Sequence, residues 1–463
     1  MPGSFTLSDE RTMKLTLAPQ WASNDDKNQD TLRFQQALDT LAKQGGGTLE
    51  VESGCYNLGG LTLHSNTTLS LQAGAELVVS DDYRHFQQAT TLSTAECSNR
   101  AFLYAFGAHN ITVCGAGKIN GNAEGWFAPQ ADEMGYRQPA KQRPRMIVFE
   151  DCTKVQLQDF TIENAPMWTI HLVACQQVKV SGITVDNDLT MANTDALDID
   201  SCQQVHISNS HFSAADDTIC LKTSRKPAPL QRATRQVVVS NCTLRSKSCA
   251  LKIGTETWED IEDICVTNCV IYESNRAIGL VSRDGGRWRR MIFSNITFSC
   301  EMAHACHWGK ADPVYLSVRA RDPEINPGEI EFIQFRGLSG VSDGAINMHS
   351  ELSGQVRHII FDGLQLTQRV STSSEQGLYD IRPPCNPFSP TGMGLDNAWC
   401  LNPQTQRAFG VEAYPGGLPA LYACGVNDLT LRNVEIYRPQ PLPAGWNARE
   451  RVLVDCNGVK QDV

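Results

Sequence analysis

The sequence predicts an all-β protein, a single-domain right-handed parallel β-helix with a short N-terminal capping helix. Three observations predict it. A strand-turn-strand pattern recurs every 23 to 32 residues, one slot of that pattern is repeatedly Asn, and a stretch of helical period stands ahead of the first copies.

The clearest copies are VQLQDFTI from Val155, VKVSGITV from Val178, VHISNSHF from Val205, VVVSNCTL from Val237, ICVTNCVI from Ile264 and MIFSNITF from Met291, with starts 23, 27, 32, 27 and 27 residues apart. Each is too short for a helix and rich in Val, Ile, Thr and Phe, so each reads as two short strands around a turn. One coil cannot bury its apolar face alone. Stacked coils can, with strands about 4.8 Å apart and like positions forming ladders along the axis. Asn209, Asn241, Asn268 and Asn295 share the turn slot, which Asp159 and Gly182 fill in the earlier copies, and an Asn ladder there satisfies turn backbone. Weaker copies, NTTLSLQAGAELVVS and NITVCGAGKINGN before and IEFIQFRGL, HIIFDGLQL and LTLRNVEIY after, extend the solenoid over most of the chain.

An uncovered end would expose apolar surface and unpaired strand edges, so a cap is expected. Gln29 to Lys43 supplies it: Asp30 stands at the N-cap position, Leu32, Phe34, Ala37, Leu38 and Leu41 form the apolar stripe, and Gly45-Gly46-Gly47 ends the helix. The expected layout of the single domain, residues 1–463, is an extension and cap over 1–45, coils over 46–440 and a C-terminal tail over 441–463. Two stretches, 121–145 and 377–417, break the rhythm and carry Trp126, Phe127, Tyr136, Phe388, Trp399 and Tyr414. Long loops on a regular scaffold are often functional, and these two are expected to wall a cleft.

A chain of 463 residues exceeds the usual single-core size unless the fold grows by repetition, as here. The net charge of -11 argues against a nucleic-acid partner, and an acidic ligand would need a local cluster of Lys and Arg. No apolar run is long enough to span a bilayer, and Met1 to Gln20 has no leader-like core, which gives an expectation of a cytoplasmic protein with no membrane partner. The 17 cysteines, an odd count without CxxC pairs or zinc-ligand spacing, are expected to be buried free thiols, with no metal or cofactor.

Asp195, in NTDALDID, precedes the Asp216-Asp217 pair of SAADDTICLKT by 21 and 22 residues, close to one turn of the solenoid. Residues one coil apart are stacked neighbours. Crowded carboxylates raise at least one pKa, leaving an acid beside a base, which is what glycoside hydrolysis needs. An Asp-Asp pair at a turn also serves simple Asx-turn chemistry, so the one-coil spacing is what lifts this cluster above that reading. Strand alternation carried forward from Asp195 sends Asp198 and Asp200 to the opposite face as structural residues, with Ile199 on the Asp195 side. Lys222, Lys252 one coil on, and Arg276, Arg283 and Asp284 beyond them are candidates to face a sugar, with solvated ion pairs as the alternative. Trp168, one coil before Asp195 with His171, is a candidate stacking platform or a core aromatic.

With these residues in view, the chain resembles glycoside hydrolase family 28, the polygalacturonase family, whose members share a pectin-lyase-like solenoid. The resemblance runs from GGGTLEVESGCYNLGGLTLHSNTTLSLQAGAEL through RPRMIVFEDC and NAPMWTIHLVACQQVKV to NTDALDID and DD. It implies an inverting glycosidase in which Asp216 is the general acid while Asp195 and Asp217 position and deprotonate water. The sequence departs from the family pattern at three places. Ala196 replaces the Gly of NTDG, Cys249 stands at the His of GHG, and Ile278-Gly279-Leu280 replaces RIK, with Arg283 a nearby substitute. The acid and base are thus kept while galacturonate recognition is altered, so the expected substrate is a pectin-derived or related plant oligosaccharide, galacturonan or rhamnogalacturonan, cut in exo fashion. The competing readings are a β-helix polysaccharide lyase using Asp-held Ca²⁺, and a noncatalytic carbohydrate-binding solenoid.

Overall fold

A computed structural model describes residues 13–19, 28–132, 135–305, 307–382, 387–388 and 400–461. The chain winds as a right-handed parallel β-helix. Two sheets run along its length, one of 21 parallel strands and one of 13, parallel except for Thr90–Ala95, which pairs antiparallel with Ser98–Phe106. In the smaller sheet Arg145–Glu150, Ile170–Val173, Leu197–Asp200, Ile219–Thr223, Cys249–Thr257, Arg276–Ser282 and Asp312–Val318 stack one coil apart.

Period-2 alternation explains why these residues form these strands. Ile147, Ile170, Leu197, Ile219, Leu251 and Ile278 are one inward row, Phe149, Leu172, Ile199, Leu221, Ile253 and Leu280 another, and all belong to one continuous core. Each such side chain removed from water contributes about 1.5–3 kcal/mol. The repeat turns follow the expected slot. Asp159, Gly182, Asn209, Asn241, Asn268 and Asn295 all have φ between 52° and 68°, a left-handed conformation that Asn, Asp and Gly tolerate best. Asn241 Nδ2 donates to Asn209 Oδ1 at 3.3 Å, and Asn295 to Asn268 at the same distance.

The capping helix spans Thr31–Lys43, and Phe34, Leu38 and Leu41 join the core. Two details differ from expectation. Leu32 is 68% exposed, because it lies two residues from Phe34 and so on another face. Asp30 makes no capping hydrogen bond; its carboxylate takes Arg33 at 2.7 Å and the amide of Asn57 at 3.0 Å, tying helix to first coil. Both terminal segments also continue the sheets. Lys14–Leu17 pairs with Gly47–Val51, and the expected tail supplies Arg451–Val454 and Lys460–Gln461, which pair with Leu421–Cys424 and Val426–Tyr437.

The two interruptions take different courses. In 121–145, Phe127–Ala131 and Arg137–Pro139 form an antiparallel pair held by an Arg137–Glu124 ion pair at 2.7 Å, and Tyr136 reaches the cleft. In 377–417, Leu378–Asp380 pairs with Val411–Ala413, and Tyr414 packs with Tyr379 and Tyr422. No described residue of this second stretch lines the cleft, and Trp399 lies outside the described residues. Among the described residues no helix is long and apolar enough to cross a membrane, and the described cysteines are free thiols, eight of them buried.

Candidate active site

The cleft lies on the outer face of the smaller sheet and holds about 760 Å³. A larger groove of about 990 Å³ follows the outer face of the other sheet, but glutamines, lysines and aliphatic side chains line it, with no group of carboxylates. Chemistry, not size, picks the smaller cavity.

Backbone bonds between successive coils assemble its centre. Thr169 N donates to Asp195 O at 2.7 Å, and Ala196 N to Asp217 O at 2.9 Å, so Asp195 is fixed beside the Asp216-Asp217 pair. Ala196 packs into the core and, unlike the turn residues, needs no left-handed φ, so its methyl group is accommodated where the family has Gly. One carboxylate oxygen from each of Asp195, Asp216 and Asp217 lies within 4.8 Å of the other two.

The three carboxyls differ in surroundings. Asp217 is buried and accepts from Lys252 Nζ at 2.7 Å and Ser248 Oγ at 3.1 Å. Asp216 is the most open of the three, and burial together with the Asp217 charge pushes its pKa up to about 7. Asp195 is 4% exposed, its Oδ1 has no hydrogen-bond partner among the described residues, and burial and Asp216 drive its pKa well above the carboxylate range.

Asp198 is not on the opposite face. Leu197 and Ile199 point into the core, so Asp198 and Asp200 point outward, on the cleft side. The inference from Asp195 failed because that residue precedes the strand Leu197–Asp200, and alternation does not carry through the irregular segment before it. Asp198 sits 2.9 Å from Lys222 Nζ, whose other anionic neighbour is Glu256 at 3.7 Å. Burial opposes the Lys222 charge, but Asp198 overcomes it and raises the pKa well above its ordinary value. Asp200 is a structural anchor: its carboxylate takes Lys226 at 2.6 Å, Ser224 N at 3.0 Å and His171 at 3.3 Å, and these partners overcome burial to hold its pKa well below the usual range.

Trp168 lines the cleft, but the Lys222 ammonium lies 3.7 Å above one ring face and His171 meets it edge-on at 5.0 Å. Trp168 therefore holds Lys222 as well as bordering the site. Lys252 lines the cleft as expected. Cys249 and Arg283 do not. Cys249 is fully buried with its thiol on Leu251 O, and a Cβ built on Gly279 would meet its Sγ at 2.9 Å and Arg276 Cδ at 3.0 Å. The departures at 249 and 279 are thus one packing solution, in which Gly279 makes room for the thiol and for Arg276. Arg276 is itself buried, paired with Asp312 at 3.1 Å and lying 3.6 Å over the Tyr315 ring. Arg283 is 0% exposed and donates to the carbonyls of Ser282, Ser317 and Ile381, so it does not replace the RIK cations. Its neighbour Asp284 pairs with Arg321 at 2.9 Å, and those two residues line the cleft.

Sequence reasoning missed Glu256, Arg321, Arg225, Trp258 and Trp308, all of which line the cavity. Glu256 had a signal, being four residues after Lys252 on the strand Cys249–Thr257 and so on the same face. The others leave strand ends or loops and carry no periodic mark.

The family model described as Glycosyl hydrolases family 28 matches residues 48–372. The chain belongs to that family. A probable polygalacturonase from Arabidopsis thaliana is 24% identical over 279 residues, 58% of this chain and 59% of that protein. An exo-poly-alpha-D-galacturonosidase from Dickeya chrysanthemi is 22% identical over 326 residues, 59% of this chain and 53% of that protein. In both cases the chain spans little more than half of the relative's length. The solved family 28 exopolygalacturonase of Yersinia enterocolitica shares the fold with a TM-score of 0.68 at 17% identity, over 94% of this chain and 76% of that one.

Proposed function

We propose that this family 28 protein is a glycosidase that cuts pectin-derived or related plant oligosaccharides by direct, inverting attack of water, acting from a chain end. The observation that carries the proposal is the difference in environment among three carboxyls whose oxygens lie within 4.8 Å of one another. Asp216, open to the cleft and protonated up to about pH 7, donates its proton to the leaving glycosidic oxygen as the C–O bond breaks. Two oxygens at this spacing can share one water through hydrogen bonds of about 2.7 Å each. Asp195 and Asp217 hold that water, and between them they take its proton as the new C–O bond forms, with Oδ1 of Asp195 unpartnered to receive a hydrogen bond from it. Exo action is supported by the walls around this centre, where Tyr136, Trp308 and the Thr94–Cys97 turn crowd the cleft.

The spacing is shorter than the roughly 6.5–9.5 Å of most inverting carboxylate pairs, so the product anomer is the decisive measurement. NMR of the first product on pectic oligosaccharides is expected to show the inverted anomer; the retained anomer would overturn the mechanism and make one aspartate a nucleophile. The same oxygens are close enough to ligate a divalent cation, as a lyase would require, but Lys252 already occupies one side of Asp217. Cleavage is accordingly expected to survive a chelator and to yield no product that absorbs in the ultraviolet as an unsaturated sugar.

A further inference from the structure

The charges of the cleft can be matched one against another. Carboxylates outnumber cations seven to four among its lining residues. Three of the four cations are already matched by acids of this chain: Lys252 by Asp217, Lys222 by Asp198 and Glu256, and Arg321 by Asp284. On the strand Arg276–Ser282, Gly279 lies between the inward Ile278 and Leu280 and offers no side chain to the outer face. A uronate ring over the three aspartates would bring a further negative charge to a site whose lining cations at that end are already matched; Arg143, behind Asp195, is buried and directs its guanidinium to Pro166 O, Ala192 O and Asn193 Oδ1 rather than into the cleft. Like charges at such separations repel strongly when water is excluded.

The fourth cation is different. Arg225 is exposed, has no carboxylate at ion-pair distance among the described residues, and lies with its guanidinium 4.6 Å over the ring of Trp258. Stacking of this kind fixes the plane of the guanidinium and leaves its N–H fork free for a carboxylate. Arg225 follows the strand Ile219–Thr223, whereas Asp216 and Asp217 precede it. Five strand residues at about 3.3 Å each put the two ends of the cleft on the order of 15 Å apart.

Resting on the hydrolase reading above, we propose that the sugar held at the scissile bond is uncharged and that an acidic sugar elsewhere in the same chain is gripped by Arg225 on Trp258. The substrate class is then a mixed oligosaccharide in which a neutral sugar is released from a uronate-containing chain. A uniform polyuronate fits the cleft poorly.

The test compares initial rates on three sets of oligosaccharides of equal length: uniform galacturonates, chains ending in a neutral sugar on a uronate backbone, and wholly neutral chains. The mixed set is expected to exceed the uniform galacturonates at least 100-fold in kcat/KM. Arg225→Ala is expected to raise KM about tenfold on the mixed set with kcat unchanged, and to leave the wholly neutral set unaffected; Arg225→Lys should recover part of the loss. Uniform galacturonates cleaved as well as the mixed set would overturn the inference while leaving the hydrolase intact. An equal effect of Arg225→Ala on all sets would overturn the role of Arg225. If nothing in any set is cleaved, calorimetric titration of the wild type still decides: tighter binding of uniform galacturonate than of the mixed chain overturns this inference, and the missing turnover counts separately against the hydrolase.

Discussion

The two sheets of this solenoid repeat the same inward alternation but treat their outer faces in opposite ways. In the larger sheet the strands Thr153–Gln158, Gln176–Ser181 and Gln203–Ser208 bury only their inward residues, and the outward ones, Gln156, Lys179 and His206, meet solvent. In the smaller sheet Ile170–Val173, Leu197–Asp200 and Ile219–Thr223 are buried on both sides, so His171, Asp198, Asp200 and Lys222 are charged or polar groups out of water. Burying such groups is costly unless they are paired. The cost explains the dense ion pairing of this face and supports the proposed chemistry there, since a desolvated face shifts a carboxyl pKa far enough to make an acid at neutral pH.

The largest expected effect is at the centre of the buried face. Asp216→Asn should lower kcat by roughly 10²–10⁴-fold, the usual worth of a general acid, without weakening oligosaccharide binding. In the wild type the rate should fall as pH rises through about 7, where Asp216 loses its proton, and a pH–rate profile flat from 6 to 9 would remove it from that role. An equivalent outward substitution in the larger sheet, Gln156→Ala, should leave kcat unchanged.

Second is the anchor. Asp200→Ala strands Lys226, which is fully buried, and removes a partner of His171, so unfolding free energy should drop by about 3–5 kcal/mol in denaturant titration. A loss below about 1 kcal/mol would mean that Lys226 reaches water in the variant and that this face is less dry than its pairing implies.

The contrast between the sheets also explains what could be read from the residues alone. The inward rows and the Asn turns were legible because a core and a left-handed turn each admit few residue types, and the meeting of Asp195, Asp216 and Asp217 because 21 and 22 residues nearly equal one coil. The outer face of the smaller sheet was legible only in part. Asp198 was assigned to the wrong side because the strand begins at Leu197, after Asp195. Arg283 looked like a cleft cation because it stands one residue past the strand Arg276–Ser282; its burial depends on the carbonyl of Ile381, 98 residues away, a contact that no local pattern encodes. Arg321 was invisible for the same reason, its value lying in Asp284 rather than in any motif.

A third expectation sets function against stability at one residue. The folded state raises the Asp216 pKa from the ordinary value near 4 to about 7, so it binds a proton more tightly than the unfolded chain does. The resulting stabilisation is complete below about pH 4 and is lost as pH rises to about 7. Asn cannot ionise. Asp216→Asn should therefore be more stable than the wild type at pH 7.5, by roughly 1–3 kcal/mol after allowing for sharing of protons among the three aspartates, and the gap should close towards pH 4. Thermal unfolding across this range checks it, and a variant less stable than the wild type at pH 7.5 would show that the carboxyl is not under electrostatic strain.

The smallest effect belongs to the solvated sheet and separates two causes within its Asn ladder. Asn268 has φ of 55°, and its side-chain oxygen accepts from Asn295 at 3.3 Å, a long hydrogen bond at an exposed site. If backbone conformation sets the slot, Asn268→Ala should cost about 1–2 kcal/mol and Asn268→Gly less, because Gly enters the left-handed region freely while losing the same amide. If the amide ladder sets it, the two variants should be equally destabilised. The protein's own later coils favour the first cause: Gly337 and Gly363 fill the same register position beyond Asn295, with φ of 58° and 78°, and the sheet continues through them unbroken. Neither variant should alter kcat, since the slot belongs to the sheet that faces away from the aspartates.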